Sequence, residues 1–239
     1  MGDIVDILRV YGVQLLIGPY PNGPLGGLAL TLILATAGLI GAFPLAVAFG
    51  IARTSTLRWI AWPAAAIVHS LRGLPVLMLL FWAYFAVPLI TGRPISGVTT
   101  VICALVAYET AFLGEVIKGG ILAIPRGQVD AAKSLGLGYF QTLGEVVLPQ
   151  ALFNIVPSIL NQLISLIKNT SLAYIISVNE LTFSAYQINT QLLTKPFQVY
   201  FILAMTYFII CYTLSTLVGR FEARIKSRRI DQRPGTLAP

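Results

Sequence analysis

Residues 119–149 read GGILAIPRGQVDAAKSLGLGYFQTLGEVVLP, the longest polar-containing interval in a chain otherwise made of apolar runs. Pro125 and Gly127 break whatever precedes them, Gln128 can open a new helix, and Asp130 to Leu135 reads as a short one. Gly136 and Gly138 stop it, and Pro149 follows one stretch later. An acidic residue, two alanines and a glycine make a compact, small-sided helix that a partner's groove can receive. The chain offers no soluble domain to cover it, so it reads as a docking element between two spans. The plainer alternative is an ordinary interfacial loop.

The composition fixes the class. Of 239 residues, 56% are hydrophobic and only 10% are charged, with a mean hydropathy of +0.82. Soluble domains carry about 25% charge, so this is an integral membrane protein, and apolar runs of about 20 residues read as helical spans of an all-α fold. Cys103 and Cys211 sit inside apolar runs and read as small core residues, too few for a disulfide framework or metal site. His69 is the lone histidine, so no histidine triad or His-paired metal site can form within the chain, and it reads as interfacial. Asp3, Asp6 and Arg9 interrupt the first apolar stretch, and no cleavable signal is evident.

Taken in order, residues 1–24 form an interfacial segment closed by a Pro- and Gly-rich turn. Five spans follow: 25–51 with a kink at Pro44, 72–89 after a short interfacial helix at 59–71, 98–117, 146–167, and 197–218. Residues 168–196 are mixed and read as a re-entrant or surface segment, and there is no internal repeat. Five crossings put the termini on opposite sides. One side receives eleven basic residues (Arg53, Arg58, Lys118, Arg126, Lys133, Arg220, Arg224, Lys226, Arg228, Arg229, Arg233) and the other four (Arg9, Arg93, Lys168, Lys195), with Arg72 at a boundary. The positive-inside rule then predicts an outside N-terminus and a cytoplasmic C-terminus and docking loop.

The fourth span carries Asn154, Ser158, Asn161, Ser165 and Asn169 at spacings of four, three, four and four, with Gln162 beside them. That is one helical stripe. Such groups either hydrogen-bond between helices or line a solute path, to which Pro157 would add a carbonyl freed by a break in the helix. Amides and hydroxyls suit a zwitterion. Glu109 falls mid-span and is a candidate partner for a substrate ammonium or guanidinium, or for a basic residue on a neighbouring span. Glu115, three residues before Lys118, reads as structural. No GxxxxGK[ST] occurs, so ATP-driven transport would need a separate hydrolysing protein.

The run DAAKSLGLGYFQTLGEVVLPQA (130–151) resembles the cytoplasmic "EAA" loop of ABC-importer permeases, with Asp130 where the family most often has Glu. RGLP (72–75), GGILAIPRGQ (119–128), LPQA (148–151) and IKNTSLAYIISVNELT (167–182) are similar to its polar-amino-acid branch, for importers of the histidine, glutamine, glutamate and arginine type. The resemblance covers roughly residues 25–220. It implies a type I ABC importer permease domain over 25–220, with a coupling loop at 119–146 and a basic cytoplasmic tail at 221–239, in a bacterial inner membrane. It also implies that residues 127–140, with Asp130, Ala131, Ala132 and Gly136, insert into a cytoplasmic ATPase. Two ATPases binding ATP and Mg, a second permease (identical or paralogous) and an extracytoplasmic amino-acid binding protein would complete the complex; this chain would hold no cofactor. The competing class is a stand-alone, ion-coupled amino-acid carrier or channel subunit, against which the missing repeat counts.

Overall fold

The structure is a computed structural model that describes residues 2–231; part of the expected tail, residues 232–239, lies outside the described residues. Among them there is no strand, only an isolated bridge between Gly27 and Glu180. The helices are α1 (Gly2–Ile17), α2 (Gly27–Thr54), α3 (Arg58–Gly73), α4 (Val76–Phe81), α5 (Val87–Thr91), α6 (Gly97–Leu122), α7 (Arg126–Ser134), α8 (Tyr139–Gln141), α9 (Leu148–Asn169), α10 (Leu181–Leu192) and α11 (Pro196–Asp231). Among the described residues, four helical stretches are long and apolar enough to cross a membrane: Gly27–Thr54, Gly97–Leu122, Tyr139–Ile176 and Pro196–Ile225. A fifth span arises if α3 and the segment Val76–Thr91, bent by 99° to each other, count together.

The pairing of α2 with α6 organises the bundle. Gly26 lies against Asn179 and Gly97 against Val178 at one end, while Arg53 of α2 bonds Glu115 of α6 near the other. The two helices therefore run parallel, and the chain between them must return across the bundle. Val76–Thr91 makes that return; its sixteen residues extend about 24 Å as helix, short of the roughly 30 Å hydrocarbon layer. α9 runs the opposite way, with Ile155 beside Gly120 and Leu166 beside Gly38.

Small residues let the backbones approach. Ala35, Gly38, Ala42, Ala46 and Gly50 form the buried stripe of α2. A Cβ at Gly50 would lie 2.6 Å from Ile117 Cγ2, and one at Gly41 2.8 Å from Val106 Cγ2. In a membrane, where lipid is as apolar as leucine, close packing of this kind drives helix association. Leu34, Leu105, Leu166 and Ile167 fill the adjoining core.

Two π-helical turns, Trp82–Ala86 and Thr142–Val147, each end just before a proline, Pro88 or Pro149. The wider turn makes room where a proline ring would press on the carbonyl four residues back. The fourth span accordingly starts at Tyr139, well before the position expected near residue 146. Pro44 and Pro157 lie inside uninterrupted helices, so the break expected at Pro157 does not occur. Its missing N–H still leaves the Phe153 carbonyl without the helical donor. Cys103 is exposed rather than a core residue, because it lies on the face of α6 turned away from the bundle, while Cys211 is half-buried. The mixed segment 168–196 resolves into the end of α9, a 3-10 turn (Thr170–Ile176) and α10. α10 packs with α1 and α11 through Ile7, Leu15, Leu181, Ile188 and Ile202, and Lys195 bonds Asp3 at 2.6 Å.

Candidate functional site

α7 sits between the end of α6 and the start of the fourth span. Pro125 caps it in an extended conformation, and Gly136, at φ +82°, ends it with left-handed backbone. The Gly136 N–H donates to the Lys133 carbonyl and the Leu137 N–H to that of Ala132, closing the helix end. The helix opens at Arg126, two residues before the sequence signal, and it is not without cover. Val129 packs onto a small core of Ile124, Val147 and Ala151, and α7 lies along the π turn Thr142–Val147. Ala132 is 3% exposed and turned inward, whereas Asp130, Ala131 and Gly136 are exposed. The two alanines thus divide between internal packing and the open face. Leu135 and Phe140, each 83% exposed, add two apolar projections that composition did not single out.

Between the middle of α6 and the end of α9 lies a half-open cavity of about 280 Å³ lined by Tyr108, Glu109, Phe112, Gln162, Ser165, Lys168 and Asn169. Four of the residues expected on a solute path therefore meet: Glu109, Gln162, Ser165 and Asn169. Asn154, Ser158 and Asn161 are not in this lining; Ser158 and Asn161 are exposed and Asn154 is half-buried. Glu109 is 1% exposed, and no hydrogen-bond donor among the described residues reaches its Oε1. Tyr108 and Phe112, with ring centroids 4.6 Å apart, make the aromatic wall.

Glu115 joins three helices. It accepts from Arg53 at 2.5 Å and Arg72 at 3.0 Å, and Lys118 stands 3.7 Å away. The structural reading of Glu115 holds, with a wider set of partners than the spacing to Lys118 showed. His69 lies exposed on α3, outside both sites.

A further buried carboxylate escaped the sequence reading. Glu180 caps α10, accepting from the Thr182 and Phe183 N–H groups at 2.9 Å each, and receives the Tyr207 hydroxyl at 3.1 Å. Thr31 of α2 approaches it at 3.5 Å and accepts the Leu181 N–H at 3.1 Å. Its one sequence signal was a capping position immediately before an apolar run.

Residues 42–227 match the family described as "Binding-protein-dependent transport system inner membrane component". The chain belongs to this family. The permease is 38% identical over 200 residues to the "Probable glutamine ABC transporter permease protein GlnP" of Bacillus subtilis (strain 168), covering 83% of this chain and 91% of that one. It is 34% identical to the "Inner membrane amino-acid ABC transporter permease protein YhdY" of Escherichia coli (strain K12), covering 85% of this chain but only 57% of the longer relative. Among solved structures, "Crystal structure of an amino acid ABC transporter with histidines" superposes with a TM-score of 0.76 at 30% identity, covering 83% of this chain and 92% of that one. A methionine transporter, MetNI, in "inward facing conformations" shares the fold at 22% identity and a TM-score of 0.66. The permease is therefore a multi-pass inner-membrane subunit of the ABC-importer type, and its homologues are permease subunits, which are not themselves catalytic. Membership gives it, in general terms, a substrate-binding protein and ATPase subunits as working partners.

Proposed function

We propose that this chain is the translocating subunit of an ATP-driven importer of polar amino acids, coupled to its ATPase through residues 127–140. The observation that carries the reading is the placement of α7. It bridges the two helices that line the cavity, α6 through Leu122 and α9 through the π turn, and it presents Asp130, Ala131, Leu135 and Gly136 outward. A partner that moves α7 through the Ile124–Val129–Val147–Ala151 core displaces α6 relative to α9. Packed cores transmit such motion as rigid bodies, so the separation of Glu109 from Gln162, Ser165 and Asn169 changes with it.

The excess of basic residues at the α7 end supports a cytoplasmic location for α7 and the C-terminus, with the N-terminus outside. Residues 1–24 would then be extracytoplasmic, 25–220 the permease domain with its coupling loop at 119–146, and 221–239 a cytoplasmic tail. Two ATPases, holding ATP and Mg, would sit beneath two permeases, and a binding protein would deliver the amino acid from above. Asn154, Ser158 and Asn161, outside the cavity of the single chain, would face the path toward the second permease.

Co-purification tests this reading. The wild-type chain carries its ATPase through affinity purification, and Gly136→Asp, which strains the left-handed backbone of the exposed turn, releases it while the permease remains monodisperse. An ATPase retained at wild-type stoichiometry in Gly136→Asp and in Leu135→Asp would remove α7 as the coupling element.

A further inference from the structure

The cavity lining carries two formal charges, the Glu109 carboxylate and the Lys168 ammonium, together with two amides and two hydroxyls. Among the described residues no ion pair joins Glu109 or Lys168, while Glu115 pairs with Arg53, Arg72 and Lys118, and Asp3 with Lys195. Glu109 is buried with an unpartnered Oε1, and Lys168 lies at the exposed rim, one helical face along from Ser165 and Asn169. One further cation comes close. Arg72 lies over the Phe112 ring at 5.4 Å, but it is already bonded to Glu115 and brings no unmatched charge.

A buried carboxylate without a counter-charge is costly, and a ligand that supplies the missing cation removes that cost. The lining therefore calls for one cation and one anion from the ligand, and for no second charge of either sign. Asn169, Ser165 and Tyr108 remain for uncharged donors and acceptors, together with whatever capacity Gln162 keeps beyond its bond to the Glu109 carboxylate. A volume of about 280 Å³ is at the small end of ligand pockets, fit for a single amino acid.

We infer that the cavity takes a net-neutral amino acid with a polar, uncharged side chain, its α-ammonium at Glu109 and its α-carboxylate at Lys168. This rests on the importer reading above and narrows its substrate class. Arginine brings a second cation with no carboxylate left to meet it, and glutamate a second anion with no ammonium left. Leucine leaves Asn169 and the two hydroxyls without a ligand partner, which sites built for hydrogen bonding reject strongly.

The test is direct binding of radiolabelled glutamine to the purified permease–ATPase complex without the binding protein, which removes that protein's own selectivity. Glutamine binds saturably, and arginine, glutamate and leucine compete at least about tenfold more weakly. Glu109→Gln weakens glutamine binding about tenfold or more, and Lys168→Glu shifts the preference toward arginine by a similar factor, with the complex intact by size exclusion. Wild-type complex that binds arginine or glutamate as tightly as glutamine, or that binds no amino acid, overturns the inference. ATP-dependent amino-acid uptake by the full complex in liposomes separates the two levels. If uptake persists while the charge preference fails, only the substrate class falls; if no amino acid is taken up, the importer reading falls with it.

Discussion

Glu180→Ala removes the fully buried side chain on which three helices converge, at the start of α10 and against Thr31 of α2 and Tyr207 of α11. Losing the cap leaves the Thr182 and Phe183 N–H groups without their acceptor, a cost of about 1 kcal/mol. The Tyr207 hydroxyl loses its carboxylate partner but keeps Thr182 Oγ1 at 3.1 Å, for about 1 kcal/mol more. The emptied space adds on the order of 1 kcal/mol. A total near 3 kcal/mol raises the local opening constant roughly 100-fold, which hydrogen exchange of the peptide spanning 181–192 reads directly. Glu180→Gln keeps one acceptor and falls between the wild type and Glu180→Ala. Burial pushes the Glu180 carboxyl up to about 7, against the hydrogen bonds from Thr182, Phe183 and Tyr207 that pull it down. The folded chain then holds this proton more tightly than the unfolded one. The contribution is complete below about pH 4.5 and is lost as pH rises through 7. Protection of α10 should decline between pH 5 and 8 in the wild type and change less in Glu180→Gln. Exchange in Glu180→Ala within about threefold of wild type would refute the claim that this carboxylate holds α10 in place.

Gly50→Ala places a methyl 2.6 Å from Ile117 Cγ2 and 3.0 Å from its Cβ. Overpacking should cost about 1–3 kcal/mol, seen as a lower melting temperature of the solubilised complex. Ile117→Ala removes the closer atom, so the double variant should be less destabilised than the two single effects together; strict additivity would mean that α2 and α6 do not meet there. Glu115→Ala leaves Arg53, whose side chain is 3% exposed, without its carboxylate. Breaking a pair with one buried member should cost about 2–4 kcal/mol, and Arg53→Met in the same chain should recover part of it. Ile124→Ala loosens the core beneath α7 and should lower uptake per ATP hydrolysed while ATPase binding persists, since the partner's contact face is untouched.

Helix α7 was legible because Pro125, Gly136 and Gly138 are local signals that no tertiary contact has to supply. The long apolar runs were equally plain, and periodicity put Ser165 and Asn169 on one face with Gln162 beside them. The small-residue stripe of α2, from Gly38 through Ala42 and Ala46 to Gly50, stands in the sequence at steps of four, but a charge-free span is uniform in hydropathy and only its packing on α6 sets that face apart. Glu180 was hidden for a different reason. It lies among Asn179, Gln187 and Asn189, a composition that reads as surface, and only the approach of Thr31 and Tyr207, from 149 and 27 residues away, buries it. The same limit applies to Ala132. Its neighbour Ala131 is identical in type, and only packing on the π turn decides which of the two faces inward.

Energy source is the central claim, and driven uptake tests it most directly. Liposomes containing the permease, its co-purified ATPase and the binding protein should accumulate glutamine when ATP is present on the ATPase side, with no imposed ion gradient, and Gly136→Asp should abolish accumulation. Accumulation driven by a proton or sodium gradient without ATP, and unaffected by Gly136→Asp, would contradict the account and make this chain a carrier in its own right.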